Sequence, residues 1–131
     1  MKQIMLFAPL ALSQFALAAC SAEPPAERPP VGPAAAVTGP AQSCIQLTDA
    51  RETRIRDDWT IDFVRGGKRA WRNTLPHRCS GLKFDDAFSY ATSLSQLCST
   101  DIIYPLQRTG GTLQRGAGCG LGQFVPVELA D

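Results

Sequence analysis

Hydrophobic and polar residues alternate with a period of two through much of the chain after residue 44, the spacing of half-buried strands. The clearest run is residues 59–65, where Trp59, Ile61 and Phe63 share one face while Thr60 and Asp62 share the other. Residues 53–57 read as a preceding strand that ends in a turn at Asp57 and Asp58, both good turn formers. Gly66 and Gly67 then send the chain back along residues 68–74. A two-residue loop would pair Phe63 with Ala70 and turn Trp71 away from Ile61; a three-residue loop with a glycine bulge pairs Ile61 with Trp71. The bulged loop is the expectation, because it gathers Trp59, Trp71, Ile61 and Phe63 into one core and leaves no large aromatic exposed.

Pro76 ends that strand, since proline cannot extend a ladder. Residues 84–92 carry two patterns. Alternation puts Phe84, Phe88 and Tyr90 together, whereas helical spacing lines up Phe84, Ala87, Phe88, Ala91 and Leu94 behind Asp85 and Asp86. A strand is expected, with a short helix after Phe84 as the alternative, because Ser89, Tyr90 and Thr92 are weak helix formers. Residues 101–107 form a strand interrupted by Pro105, hence an edge or bulge, and Gly110 and Gly111 return the chain through residues 112–115. Glycines at 116, 118, 120 and 122 leave a bare face in an extended chain, open to close approach by a backbone or a ring. No helix pattern follows them, so a phosphate cradle is not indicated. Residues 123–127 close the sheet. The fold class is all-β: a small antiparallel sandwich or partly open barrel of about six strands.

The N-terminus has a different texture. Lys2 precedes an apolar run over residues 4–17, interrupted by Pro9, Ser13 and Gln14. It is too short and too broken to span a bilayer and reads as an export signal. Its end, Leu17-Ala18-Ala19-Cys20, resembles a bacterial lipobox. The resemblance implies a signal peptide of residues 1–19, cleavage before Cys20 and lipid on that thiol; an ordinary cut after Ala19 is the alternative, and it too exports the chain. Ser21, in place of the aspartate that retains such proteins at the inner membrane, implies an outer-membrane anchor facing the periplasm. Residues 21–43 hold six prolines, six alanines and three charged residues. Such a composition cannot offset its ordering entropy, so residues 20–43 are expected to be a lipidated cysteine plus a disordered tether, reaching about 70 Å if polyproline-like. Residues 44–131 are the folded domain.

The chain has five cysteines. With Cys20 lipidated, Cys44, Cys79, Cys98 and Cys119 form an even set, which in an exported chain reads as two disulfides. Four cysteines allow three connectivities; folding the hairpin about Gly110 favours Cys98 with Cys119 and leaves Cys44 with Cys79. No Cys-x-x-Cys pair exists and His77 is the single histidine, so no metal site and no cofactor are expected. As a base His77 would need Ser80, Ser89 or a free thiol beside it, which nothing in the spacing enforces. Asp57 with Asp58, and Asp85 with Asp86, would point to opposite faces of a strand, so neither pair converges as acid and base.

The net charge is +1, which with the compartment argues against nucleic acid. Between Arg51 and Arg78, however, eight basic residues face four acidic ones. Arg54 and Arg56 share one side of their strand, and with Arg69 or Arg72 beside them they would form a basic face for an anionic envelope component or an envelope protein.

The domain resembles a proteobacterial family of small exported, cysteine-containing proteins of unknown function, many of them lipoproteins. The matching residues are Cys44; Asp57, Asp58, Ile61 and Phe63; Asn73, Leu75 and Pro76; Cys79, Ser80, Gly81 and Leu82; Leu97, Cys98, Ser99, Thr100 and Asp101; and Cys119, Gly120, Leu121, Gly122 and Phe124. Pro105 departs from the β-former expected there. The resemblance implies export and the cysteine frame and supplies no activity. The expected function is therefore a non-enzymatic binding or structural module of the cell envelope, joined to the membrane through its lipid. The alternatives are an inhibitor of an envelope hydrolase and a small enzyme using His77 or a redox-active cysteine pair.

Overall fold

The computed structural model describes residues 33–92 and 94–130; the expected signal peptide, Cys20 and most of the tether lie outside them. The elements are β1 (Ala35–Val37), β2 (Cys44–Gln46), β3 (Glu52–Ile55), β4 (Thr60–Gly66), β5 (Arg69–Thr74), α1 (Leu82–Asp85), β6 (Phe88–Tyr90), β7 (Gln96–Cys98), β8 (Ile102–Thr109), β9 (Thr112–Arg115), β10 (Cys119–Gly120) and β11 (Phe124–Leu129). A 3-10 turn covers Leu47–Asp49. A five-stranded sheet runs β1-β11-β5-β4-β3; a second runs β10-β8-β6, with β9 also on β8; β2 and β7 make a separate ribbon. The pairings are antiparallel, and the architecture is all-β without closing into a barrel. Strands of four or more residues, β3, β4, β5, β8, β9 and β11, overlap the segments expected as strands from the sequence. The others have two or three residues, too few for a period to show.

One core joins the three sheets. Ile55, Ile61, Phe63, Trp71 and Phe124 from the first pack with Ile103 from the second and Ile45 and Leu97 from the ribbon. Phe63 meets Phe124 and Phe88 edge-on at 5.6 and 6.4 Å between centroids, which ties β4 to β11 and to β6. The β4–β5 hairpin does contain a bulge, but it falls between Val64 and Gly66, and Trp71 pairs with Phe63 where Ile61 was expected. A shift of two residues preserves the face, so Trp71 still enters the core with Ile61 and Phe63. Trp59 is only half-buried.

Four further expectations are corrected. The tether does not extend to Ser43: Ala35–Val37 pairs with β11, Gln42 bridges to Phe124, and residues 33–43 belong to the described fold. Alanine and valine there add little core, but their backbone completes the edge of β11. The disulfides are Cys44–Cys98 and Cys79–Cys119, in place of Cys98–Cys119 and Cys44–Cys79. The cause is a tight turn after β7, in which Asp101 Oδ2 accepts from the Cys98 amide at 2.7 Å and the Asp101 amide donates to the Cys98 carbonyl at 2.9 Å. That turn takes Cys98 out of the β8 hairpin and sets it opposite Cys44.

Residues 84–92 are not one strand. Buried Leu82 anchors a helical turn opened by Gly81 (φ 87°) and closed by Asp86 (φ 50°), leaving Phe84 92% exposed, and only Phe88–Tyr90 is extended. Finally, Pro105 does not break β8. Its carbonyl accepts from Gly116 at 2.7 Å on the edge where pairing lapses between β10 and β9, so its missing N–H meets no ladder partner there.

Two of the four glycines in the run, Gly118 and Gly122, accept close neighbours, whereas a Cβ on Gly120 would meet nothing within 4 Å. A Cβ on Gly118 would lie 2.8 Å from Ile102 and 3.0 Å from the Tyr104 ring, and one on Gly122 would collide with the Thr74 carbonyl. Asn73, fully buried, donates to the Gly122 carbonyl at 2.7 Å and accepts from its amide at 2.9 Å, so its side chain satisfies both backbone groups of Gly122 just ahead of β11.

Candidate functional site

Register builds the cluster of charge on the first sheet. Arg54, Asp62 and Arg72 are direct cross-strand partners on β3, β4 and β5, so all three lie on the face opposite Ile61, Phe63 and Trp71. Arg56, just past β3, falls on the same side by alternation. Asp62 is 0% exposed. Arg72 grips it with two bonds, Nε to Oδ1 at 2.7 Å and Nη2 to Oδ2 at 2.9 Å, and Arg56 Nε donates to Oδ2 at 2.7 Å. Arg72 Nη2 also donates to the Pro33 carbonyl at 3.2 Å, so the chain entering β1 closes one side. Arg54 donates to both Glu52 oxygens, at 2.8 and 3.0 Å.

Burial by itself raises the pKa of Asp62. The hydrogen bonds from Arg72 and Arg56, with their charges, outweigh it and hold the carboxyl below its ordinary value. Glu52 is lowered as well, first through its bond from Arg54.

The structure thus brings Arg54, Arg56 and Arg72 together, as the sequence implies, but turns their forks onto carboxylates of the same chain. The Arg56 and Arg72 side chains are 14% and 19% exposed. An incoming phosphate or carboxylate would have to compete with Asp62 for them. Arg69 stands apart at the far end of β5, exposed and opposite Glu128. The cluster is a clamp across three strands, so changing Arg56 or Arg72 to Glu would set a second carboxylate against buried Asp62 and would not leave folding intact.

His77 is exposed between β5 and α1 and makes no hydrogen bond or ion pair among the described residues. The four domain cysteines are closed into disulfides, so no described thiol stands beside it. The paired aspartates shape loops. Asp57 Oδ1 accepts from the Trp59 amide at 2.6 Å; Asp58 accepts from Arg78 at 2.9 Å and from the Lys83 amide at 3.0 Å, fixing the loop into α1. Among the described residues no three His, Cys, Asp or Glu side chains converge as metal ligands.

Sequence reasoning places Asp62 on the polar face but misses its central position, and it misses the Asn73–Gly122 clamp. A usable signal for the first exists: an acid midway along a long strand, with arginines in both neighbouring strands. The chain matches no protein-family model, no curated protein and no solved structure.

Proposed function

We propose that this chain is a lipid-anchored, non-enzymatic binding or structural module of the bacterial cell envelope, carried on acylated Cys20 and facing the periplasm from the outer membrane. One observation carries the reading. The domain cysteines pair entirely among themselves, Cys44 with Cys98 and Cys79 with Cys119, which leaves Cys20 as the odd thiol of five, at the end of the lipobox-like sequence. Two bridges closing spans of 54 and 40 residues each stabilise a small domain by about 4 kcal/mol on the chain-entropy account, and they suit an oxidising compartment. Intact mass and non-reducing peptide mapping of membrane-purified protein test the proposal. The expected result is an acylated N-terminal Cys20 and these two bridges. An unmodified Cys20 removes the anchor, and a free domain thiol turns the search toward redox chemistry.

A further inference from the structure

The outward face of the second sheet carries a surface with no carboxylate. On β8, Ile103 and Pro105 point into the core, so alternation turns Ile102, Tyr104, Leu106 and Arg108 outward. Across the ladder from them on β9 stand Arg115, opposite Leu106, and Leu113, opposite Arg108. Ile102 is 42% exposed and Leu113 58%. Arg115 lies over the Tyr104 ring at 5.4 Å, which holds its charge at the surface. Neither Arg108 nor Arg115 forms an ion pair among the described residues. From residue 102 to residue 127 the chain holds these two arginines and no aspartate or glutamate.

Two exposed arginines interleaved with exposed Ile102 and Leu113 and half-buried Tyr104 and Leu106 match the chemistry of a bilayer interface. The guanidinium groups meet lipid phosphates, and the apolar side chains enter the boundary beneath the headgroups. Chain length favours the same occupant. The first described strand is β1, and residues 21–34 separate it from Cys20, a span of at most about 50 Å. An anchored domain is thereby kept at high local concentration beside the membrane. We infer that Ile102, Tyr104, Leu106, Arg108, Leu113 and Arg115 form a docking face for the surface of an anionic phospholipid bilayer. The inference rests on the anchoring proposed above.

The test reconstitutes the full chain with vesicles of phosphatidylcholine, or of phosphatidylcholine mixed equally with phosphatidylglycerol. Flotation is followed by arginine labelling with phenylglyoxal and peptide mass analysis. With the anionic vesicles, labelling of Arg108 and Arg115 is expected to slow at least fivefold relative to exposed Arg69 on the same chain, roughly the factor that a single interfacial charge confers. High salt should reverse it. Flotation with both vesicle types and equal labelling in both overturns the face and leaves the anchor standing. Flotation with anionic vesicles alone, with both arginines protected, upholds the face and removes the anchor. A chain that floats with neither overturns both.

Discussion

Arginines occur on both main sheets, in opposite circumstances. On the first, Arg56 and Arg72 converge on Asp62, which is wholly buried, and their forks are used within the chain. On the second, Arg108 and Arg115 stand opposite Leu113 and Leu106. The side chains are the same; what differs is the partner that register supplies across the strand. Arg72 is opposite Asp62 because the bulge between Val64 and Gly66 sets that pairing. A count of basic residues locates charge along the chain, whereas the ladder decides whether that charge is used by the fold or left for something outside it.

The largest effect that would sharpen this contrast belongs to Asp62→Ala. Two guanidinium groups would then share a poorly solvated site without their counter-charge, and breaking a buried pair in this way costs about 3–5 kcal/mol. That is a major share of the 5–15 kcal/mol typical of a whole domain. The measurement is a urea unfolding midpoint for wild type and variant under oxidising conditions. A loss below about 1 kcal/mol would mean that the cluster behaves like a surface ion pair, and the distinction between the two sheets would fail.

How far the fold was legible follows from the same physics. Strands β4 and β5 and the inward face of Trp71 can be read from alternation, because a period of two survives a register error of two residues. The register itself cannot, since it depends on where the bulge falls. The ribbon of β2 and β7 has three residues a side, and the disulfide pairing is hidden with it: nothing local announces that the Asp101 turn removes Cys98 from the hairpin. Phe84 misleads for a different reason. An aromatic reads as buried, while Leu82, two residues earlier, is the side chain that anchors the turn. The arginine cluster was half legible. Its members follow from composition and strand side, but its neutralisation by Asp62 needs the alignment of three strands.

Acid titration separates the regions by a smaller effect. The folded Asp62 carboxyl lies below its ordinary value, so the unfolded chain takes up its proton first as pH falls. Its stabilising contribution is present above the unfolded pKa of about 3.9 and is lost as pH drops through the lower folded value. Each such group adds a slope of at most about 1.4 kcal/mol per pH unit. Wild-type stability is therefore expected to fall on acidification below about pH 5, and Asp62→Asn should flatten that limb. Changing Arg108 and Arg115 to Gln should leave it unaltered. A limb of the same steepness in Asp62→Asn would assign acid sensitivity to other carboxylates.

The smallest expected effect is the most informative about the second sheet. Arg115→Ala removes a guanidinium from over the Tyr104 ring, an exposed contact worth about 0.5–1 kcal/mol, and it strips no counter-charge from a buried group. Its stability loss should therefore stay at or below about 1 kcal/mol, measured in the same urea series as Arg72→Ala, which exposes Asp62 to an incomplete set of donors and should lose several times more. The comparison matters because a surface kept for an external partner contributes little to the fold that carries it. Equal losses in Arg115→Ala and Arg72→Ala would show that the fold depends on Arg115 as heavily as on Arg72. The β8–β9 face would then have no charge left over for a bilayer.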